Sequence, residues 1–140
     1  MEDNRNGEDI YGDKHKEANE PIFSGIPSFL KLPTATTEEE LEDSDADIGV
    51  LGAPLDTATT IRPGTRYGPR AVRAASTVPS PPYQHFNIET GVDPFDSFSV
   101  VDTGDTTISP GDTRQSQLNL QESVRNISEK GKIGRASCRE

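Results

Sequence analysis

Six residues on one short polar stretch have side chains or backbone properties suited to chemistry: Asp56, Arg62, Gly64, Arg66, Tyr67 and Gly68. A carboxylate beside two guanidinium groups can orient a charged small molecule through forked hydrogen bonds, or brace neighbouring loops by the same contacts. Arginines repel a cationic ligand and suit a carboxylate instead. Two readings stand side by side. In one, these residues line a substrate entrance. In the other, Pro63-Gly64 makes a turn while Arg66 or Arg70 braces neighbouring loops or a subunit contact.

Elsewhere the reactive residue types are sparse. His15 lies between lysines and His85 between Gln84 and Phe86, with no second ligand at metal-binding spacing, so both read as surface residues. The carboxylates of Asp102-Thr103-Gly104-Asp105 read first as turn and helix-approach residues. No serine–histidine or cysteine–histidine arrangement is supported, and Gly64 and Gly68 fit neither nucleotide-binding glycine pattern. The single cysteine, Cys138, excludes an intrachain disulfide.

The loop needs rigid elements on both sides. Ile48-Gly49-Val50-Leu51-Gly52-Ala53, closed by Pro54, reads as a short strand buried on both faces. Gly68-Pro69 opens a helix, because proline is preorganised for a first helical position, and Ala71, Val72 and Ala75 fall on one side while Arg70 and Arg73 point elsewhere. Strand, polar loop and helix make half of a βαβ unit, with the loop at the carboxyl end of a parallel strand, where open α/β sheets bind ligands. Upstream, Thr37-Glu38-Glu39-Glu40 matches a capping box with Thr37 as N-cap. Downstream, the prolines at 79, 81 and 82 mark a loop, and Ser97-Phe98-Ser99-Val100-Val101 alternates as a second strand. A helix follows from Asp112-Thr113, with Leu120, Val124 and Ile127 on one face and Gly131 as its stop. The right-handed crossover rule would return the chain into a third parallel strand just after Lys132.

With 140 residues the chain has room for one domain, but 30% hydrophobic residues, 11 prolines and 12 glycines make a thin core for that length. A formal net charge of −10 argues against nucleic acid and anionic membranes as partners. No apolar run has the length of a membrane span, and the start lacks a basic-then-apolar leader pattern, so a cytoplasmic location is expected. Residues 1–20 read as a disordered acidic arm, and 21–132 as folded. The apolar residues Ile22, Phe23, Ile26, Phe29, Leu30 and Leu32 between Pro21 and Pro33 pack on the domain's own surface or serve an arm.

Four pieces in order resemble one known family: Phe23-Ser24-Gly25-Ile26-Pro27-Ser28-Phe29, then GAPLD at 52–56, RPGTRYGPRAVRAAS at 62–76, and Gly91-Val92-Asp93-Pro94-Phe95 leading into Val101-Asp102-Thr103-Gly104-Asp105. They are similar to the amino-terminal signature of the ureohydrolase (arginase/agmatinase) family, on its agmatinase-like branch. The resemblance implies the first two strands, with their helices, of a three-layer α-β-α fold with a parallel sheet. It also implies a parent enzyme with two Mn2+ ions that hydrolyses agmatine to putrescine and urea, assembled as a homotrimer or homohexamer. A small cationic guanidino compound is the implied partner, and guanidinobutyrate is the alternative substrate within the family. In that family the metal ligands lie in Gly-Gly-Asp-His, Asp-Ala-His-x-Asp and Ser-x-Asp-x-Asp motifs on later strands. None occurs in this sequence, so no catalytic residue and no metal ligand is assigned, and the chain itself is expected to be inactive. Residues 133–140 resemble a translated sequencing adapter and are set aside as a tail. From another class, a small non-enzymatic α/β binding protein using the Arg62–Tyr67 loop is the competing expectation.

Overall fold

The structure, a computed structural model, describes residues 23–77 and 87–130 and the backbone of the strand at 133–137. Its centre is a parallel sheet in the order β2-β1-β3, with β1 at Ile48–Gly52, β2 at Val100–Asp105 and β3 at Ile133–Ser137. Helices occur at Glu38–Asp43 (α1), Gly68–Ser76 (α2), Pro94–Ser97 (α3) and Thr113–Glu129 (α4). Among the described residues no helix is long and apolar enough to cross a membrane.

The parallel α/β sheet follows the expectation, and among the described residues a third strand stands where the crossover rule placed it. Residues 133–137, set aside in the sequence, pair with β1 from Ile48↔Ile133 to Gly52↔Ser137. The crossover through α4 returns the chain to the side of β1 that β2 leaves open. The ladder there is made by main-chain groups and needs no side-chain pattern.

β2 also differs from its expected span. Ser97 closes α3, whose N-cap Asp93 accepts from Phe95 N at 2.9 Å, and the strand runs from Val100 through Asp105. Phe98 is 49% exposed, so the apolar alternation around it has no buried face to serve. Charge, conversely, does not stop the strand at Asp102, because that carboxylate is fully partnered inside the protein. Outside β2, residues 33–35 act as a further strand: Asp102 N donates to Pro33 O and Ala35 N donates to Asp102 O, both at 2.9 Å.

The core lies between β1, β2 and α4. Leu51, Val101 and Ile127 meet Ala35, Leu41 and Ala46, with Leu120 and Val124 packed against them. Ile127 is fully buried, which contributes about 1.5–3 kcal/mol. It fits because Gly49 has no side chain: a Cβ there would stand 3.1 Å from Ile127 Cγ2 and from Thr103 Cγ2. Asp112 caps α4 by accepting from Gln115 N, and the expected capping box of α1 is present, with Glu40 N on Thr37 Oγ1 and Glu40 Oε2 taking Thr37 N. Lys130, at the end of α4, reaches Glu42 Oε1 at 2.7 Å and Glu38 O, tying α1 to α4.

Helix α2 is turned the other way from an ordinary surface helix. Its outward side carries Ala71, Val72 and Ala75, all exposed. Its inward side carries Pro69, Arg73 and Ser76: Pro69 is buried against Gly52, and Ser76 Oγ takes Leu30 N at 2.8 Å. Expected features in 1–22, the proline loop at 78–86 with His85, the stop at Gly131 and Cys138 lie outside the described residues.

Candidate functional site

The carboxyl ends of β1 and β2 lie side by side, and an aspartate near each, Asp56 in the loop after β1 and Asp102 within β2, holds an arginine. After β1 the chain turns at Pro54, and Asp56 faces inward with 1% of its side chain exposed. Its Oδ2 accepts from Gly64 N at 2.7 Å and Arg66 N at 3.3 Å, and its Oδ1 pairs with Arg66 Nη2 at 2.6 Å. No donor is aligned for a hydrogen bond to Oδ1, so that buried oxygen is compensated by the ion pair. Arg66 holds the Asp56 carboxyl below the usual range against the opposing effect of burial, helped by the two loop N–H groups. Asp56 in turn raises Arg66.

This carboxylate folds the loop back on itself. Gly64 must bend at φ +146°, a region closed to other residues, to bring its N–H onto Asp56. Arg62 also sits in the left-handed region, at φ +56°, and is exposed. The six residues singled out in the sequence therefore divide. Asp56, Gly64 and Arg66 are brought together. Arg62 is exposed on the loop, and Tyr67 is 68% exposed. Gly68 opens α2 and takes no part in the clamp. The bracing reading fits Arg66; Arg70 is exposed.

A second and more buried cluster lies one strand over, and sequence reasoning missed it. Arg73 reaches from α2 into the end of β2 with 14% of its side chain exposed. Nε donates to Asp102 Oδ2 at 2.7 Å and Nη2 to Asp102 Oδ1 at 2.9 Å, a two-point fork. Nη1 donates to Asp105 Oδ1 at 2.6 Å and Nη2 also to Gly104 O at 2.8 Å. Asp102 completes its shell with Phe29 N at 2.7 Å and Gly104 N at 2.9 Å. Burial pushes the Asp102 carboxyl up, but Arg73 and the two backbone N–H groups outweigh it and leave the group below the usual range. Arg73 is strongly raised by the same contacts.

Gly52 is what lets the two strand ends approach. A Cβ on it would fall 1.9 Å from Asp105 Oδ1 and 2.9 Å from Pro69 Cβ. The signal for this cluster was present in the sequence: Pro69, Arg73 and Ser76 recur at helical spacing, opposite the alanines. The local pattern does not say which of the two sides faces inward.

Chemically, both clusters are closed. Among the described residues no three His, Cys, Asp or Glu side chains stand together to hold a metal ion. The paired carboxylates at the strand ends already carry guanidinium partners, so a two-manganese centre does not fit the described residues. No hydrolytic step is built on them. They can shape and fix the floor of a site.

The comparisons agree on one lineage. The sequence profile of the arginase family matches residues 46–134. Guanidinobutyrase of Pseudomonas aeruginosa is 41% identical over 107 residues, 76% of this chain and 30% of that protein. Mitochondrial agmatinase of Gallus gallus is 38% identical over 103 residues, 74% of this chain and 28% of that protein. Among solved structures, a hypothetical agmatinase from Burkholderia thailandensis superposes with a TM-score of 0.66 at 31% identity, covering 83% of this chain and 34% of that one. The proclavaminate amidino hydrolase from Streptomyces clavuligerus gives 0.65 at 29% identity, covering 82% and 34%. The chain thus spans about 30% of the length of the curated relatives it matches. With a strand, loop and helix inside the matched span and the same fold in its structural neighbours, this chain belongs to the arginase family of ureohydrolases.

Proposed function

We propose that this chain is the amino-terminal part of a manganese-dependent guanidino hydrolase that converts agmatine to putrescine and urea, and that it supplies scaffold rather than chemistry. The observation that supports this most is the match over 46–134 to a family whose relatives here are named for guanidino compounds: guanidinobutyrase, agmatinase and guanidino acid hydrolase. In this reading the two Mn2+ ions are held by residues outside the chain, and the parent is a cytoplasmic homotrimer or homohexamer. The 140-residue chain, given manganese and agmatine, is expected to release no urea. Manganese-dependent turnover that survives a second purification would overturn that.

One observation favours a second substrate, 4-guanidinobutyrate. Arg66 is engaged by Asp56, which leaves exposed Arg62 as the loop arginine suited to a substrate carboxylate, and a guanidinobutyrase is 41% identical. Extending the gene with its natural continuation and comparing kcat/KM decides between them. Agmatine as best substrate supports the first reading and guanidinobutyrate the second. Arginine as best substrate overturns both.

A further inference from the structure

The segment from Ser28 to Ala35 crosses the outer edge of β2, with Leu32 and Ala35 buried, and most of its polar ties to the sheet converge on one residue. Asp102 gives its main-chain N–H to Pro33 O and its carbonyl to Ala35 N, and its carboxylate takes Phe29 N. That carboxylate keeps its place and charge through Arg73 on α2. A second tie, Leu30 N on Ser76 Oγ, comes from the same helix. Between these ties the backbone is strained: Leu30 at φ +53° and Lys31 at φ +57° are consecutive left-handed residues, and neither is glycine. Such conformations persist where the surroundings enforce them. Inside the segment, Ser28 Oγ donates to Leu32 O at 2.7 Å and Lys31 Nζ reaches back to Ile26 O at 3.2 Å, so its shape is also held locally. Beyond it, Phe23 is 88% exposed and Ile26 68% exposed.

A strained turn, anchored through one charged residue and internally braced, has the makings of an element with two positions. We propose that Ser28–Ala35 is a charge-locked strap that docks on and leaves β2 as a unit, with the Arg73–Asp102 pair as its lock and the Leu30–Lys31 turn as the strain that favours release. Docked, the strap covers the edge of β2. Released, it bares the N–H and C=O of Asp102 and carries the Phe23–Ile26 end away.

Amide hydrogen exchange on the 140-residue chain tests this. Asp102→Asn should speed exchange at Phe29, Leu30 and Ala35 together, by about tenfold or more beyond any rise at Val50 and Leu51 in β1. Leu30→Gly, which removes the left-handed penalty, should slow exchange at the same three amides by about threefold or more and partly restore them in the Asp102→Asn background. Strap amides that do not respond to Asp102→Asn, or that rise by the same factor as β1, overturn the proposal. So does a Leu30→Gly chain whose strap exchanges no more slowly than the parent's. If Asp102→Asn fails to fold, the Leu30→Gly result alone decides.

Discussion

Asp56–Arg66 and Asp102–Arg73 pair the same two residue types at the carboxyl ends of neighbouring strands, yet they do different work. Arg73 is nearly enclosed, shared between two carboxylates and a carbonyl, and joins α2, β2 and the segment before α1. Arg66 is half in water, with 51% of its side chain exposed, and closes a loop on the strand it came from. Water and salt weaken the second pair and reach the first much less. The contrast teaches that burial, more than the identity of the partners, decides whether an ion pair holds a fold or shapes a surface. It also explains why the loop, with its glycine and proline signals, stands out in sequence although the greater structural weight lies one strand over.

The contrast is broken or sharpened by experiment. The largest effect is expected from Arg73→Ala, which strands a buried carboxylate and should cost about 3–5 kcal/mol in urea denaturation, enough to abolish cooperative folding in a chain of this composition. Arg73→Lys, with one ammonium for a fork of donors, should recover only part of it. A loss from Asp56→Ala equal to that from Arg73→Ala would erase the distinction.

Next in size is Gly52→Ala, whose Cβ meets Asp105 Oδ1 and Pro69. About 1–3 kcal/mol is expected, the usual cost of overpacking. Shortening the obstacle in a Gly52→Ala/Asp105→Ala double variant should recover less than the single loss, because Arg73 then forfeits a partner. Full recovery would mean that Arg73 needs Asp102 alone.

Acid gives a smaller and graded effect. Asp102 and Asp56 lie below the usual carboxylate range when folded, so their contribution is complete above the unfolded value of about 4 and is lost as pH falls towards the folded values. The raised arginines contribute fully throughout that window. The urea midpoint should therefore fall between pH 5 and about pH 3, and the fall should be shallower in Asp102→Asn than in Asp56→Asn. Equal slopes would put the two pairs on the same footing.

The smallest effect on global stability is expected from Asp56→Asn. It should leave the midpoint almost unchanged and speed tryptic cleavage after Arg66 by about tenfold, as the loop loses its clamp. Cleavage at the parent rate would show that Gly64 and Pro63 hold the bend without the carboxylate.

Much of this arrangement was legible in the sequence, for identifiable reasons. β1 announced itself as an apolar run, the caps at Thr37 and Asp112 by residue type and spacing, and α4 by the recurrence of Leu120, Val124 and Ile127. Those signals are local. β2 was misplaced by a few residues because a strand can carry Asp102 when an arginine far off in sequence neutralises it, and nothing local records that. The side that α2 buries was hidden for the same reason. Within the loop, residue types pointed to Asp56 and Arg66 but could not say that they satisfy each other and leave Arg62 in solvent.

The position of β1 has a consequence for how the chain acquires its structure in time. Of the three strands among the described residues it comes first, yet it is central in the sheet, with Ile48 paired to Val100 on one side and Ile133 on the other. Its first neighbour cannot pair until α2 and the turn at Asp93 have been synthesised, and its second must wait for α4. Each closure spans a long intervening segment, which makes the nucleus costly in chain entropy and its formation slow. During synthesis an apolar strand with both edges open is thus among the earliest parts to emerge. The acidic residues just before it, Glu38 through Asp47, are well placed to keep neighbouring nascent chains apart until β2 arrives.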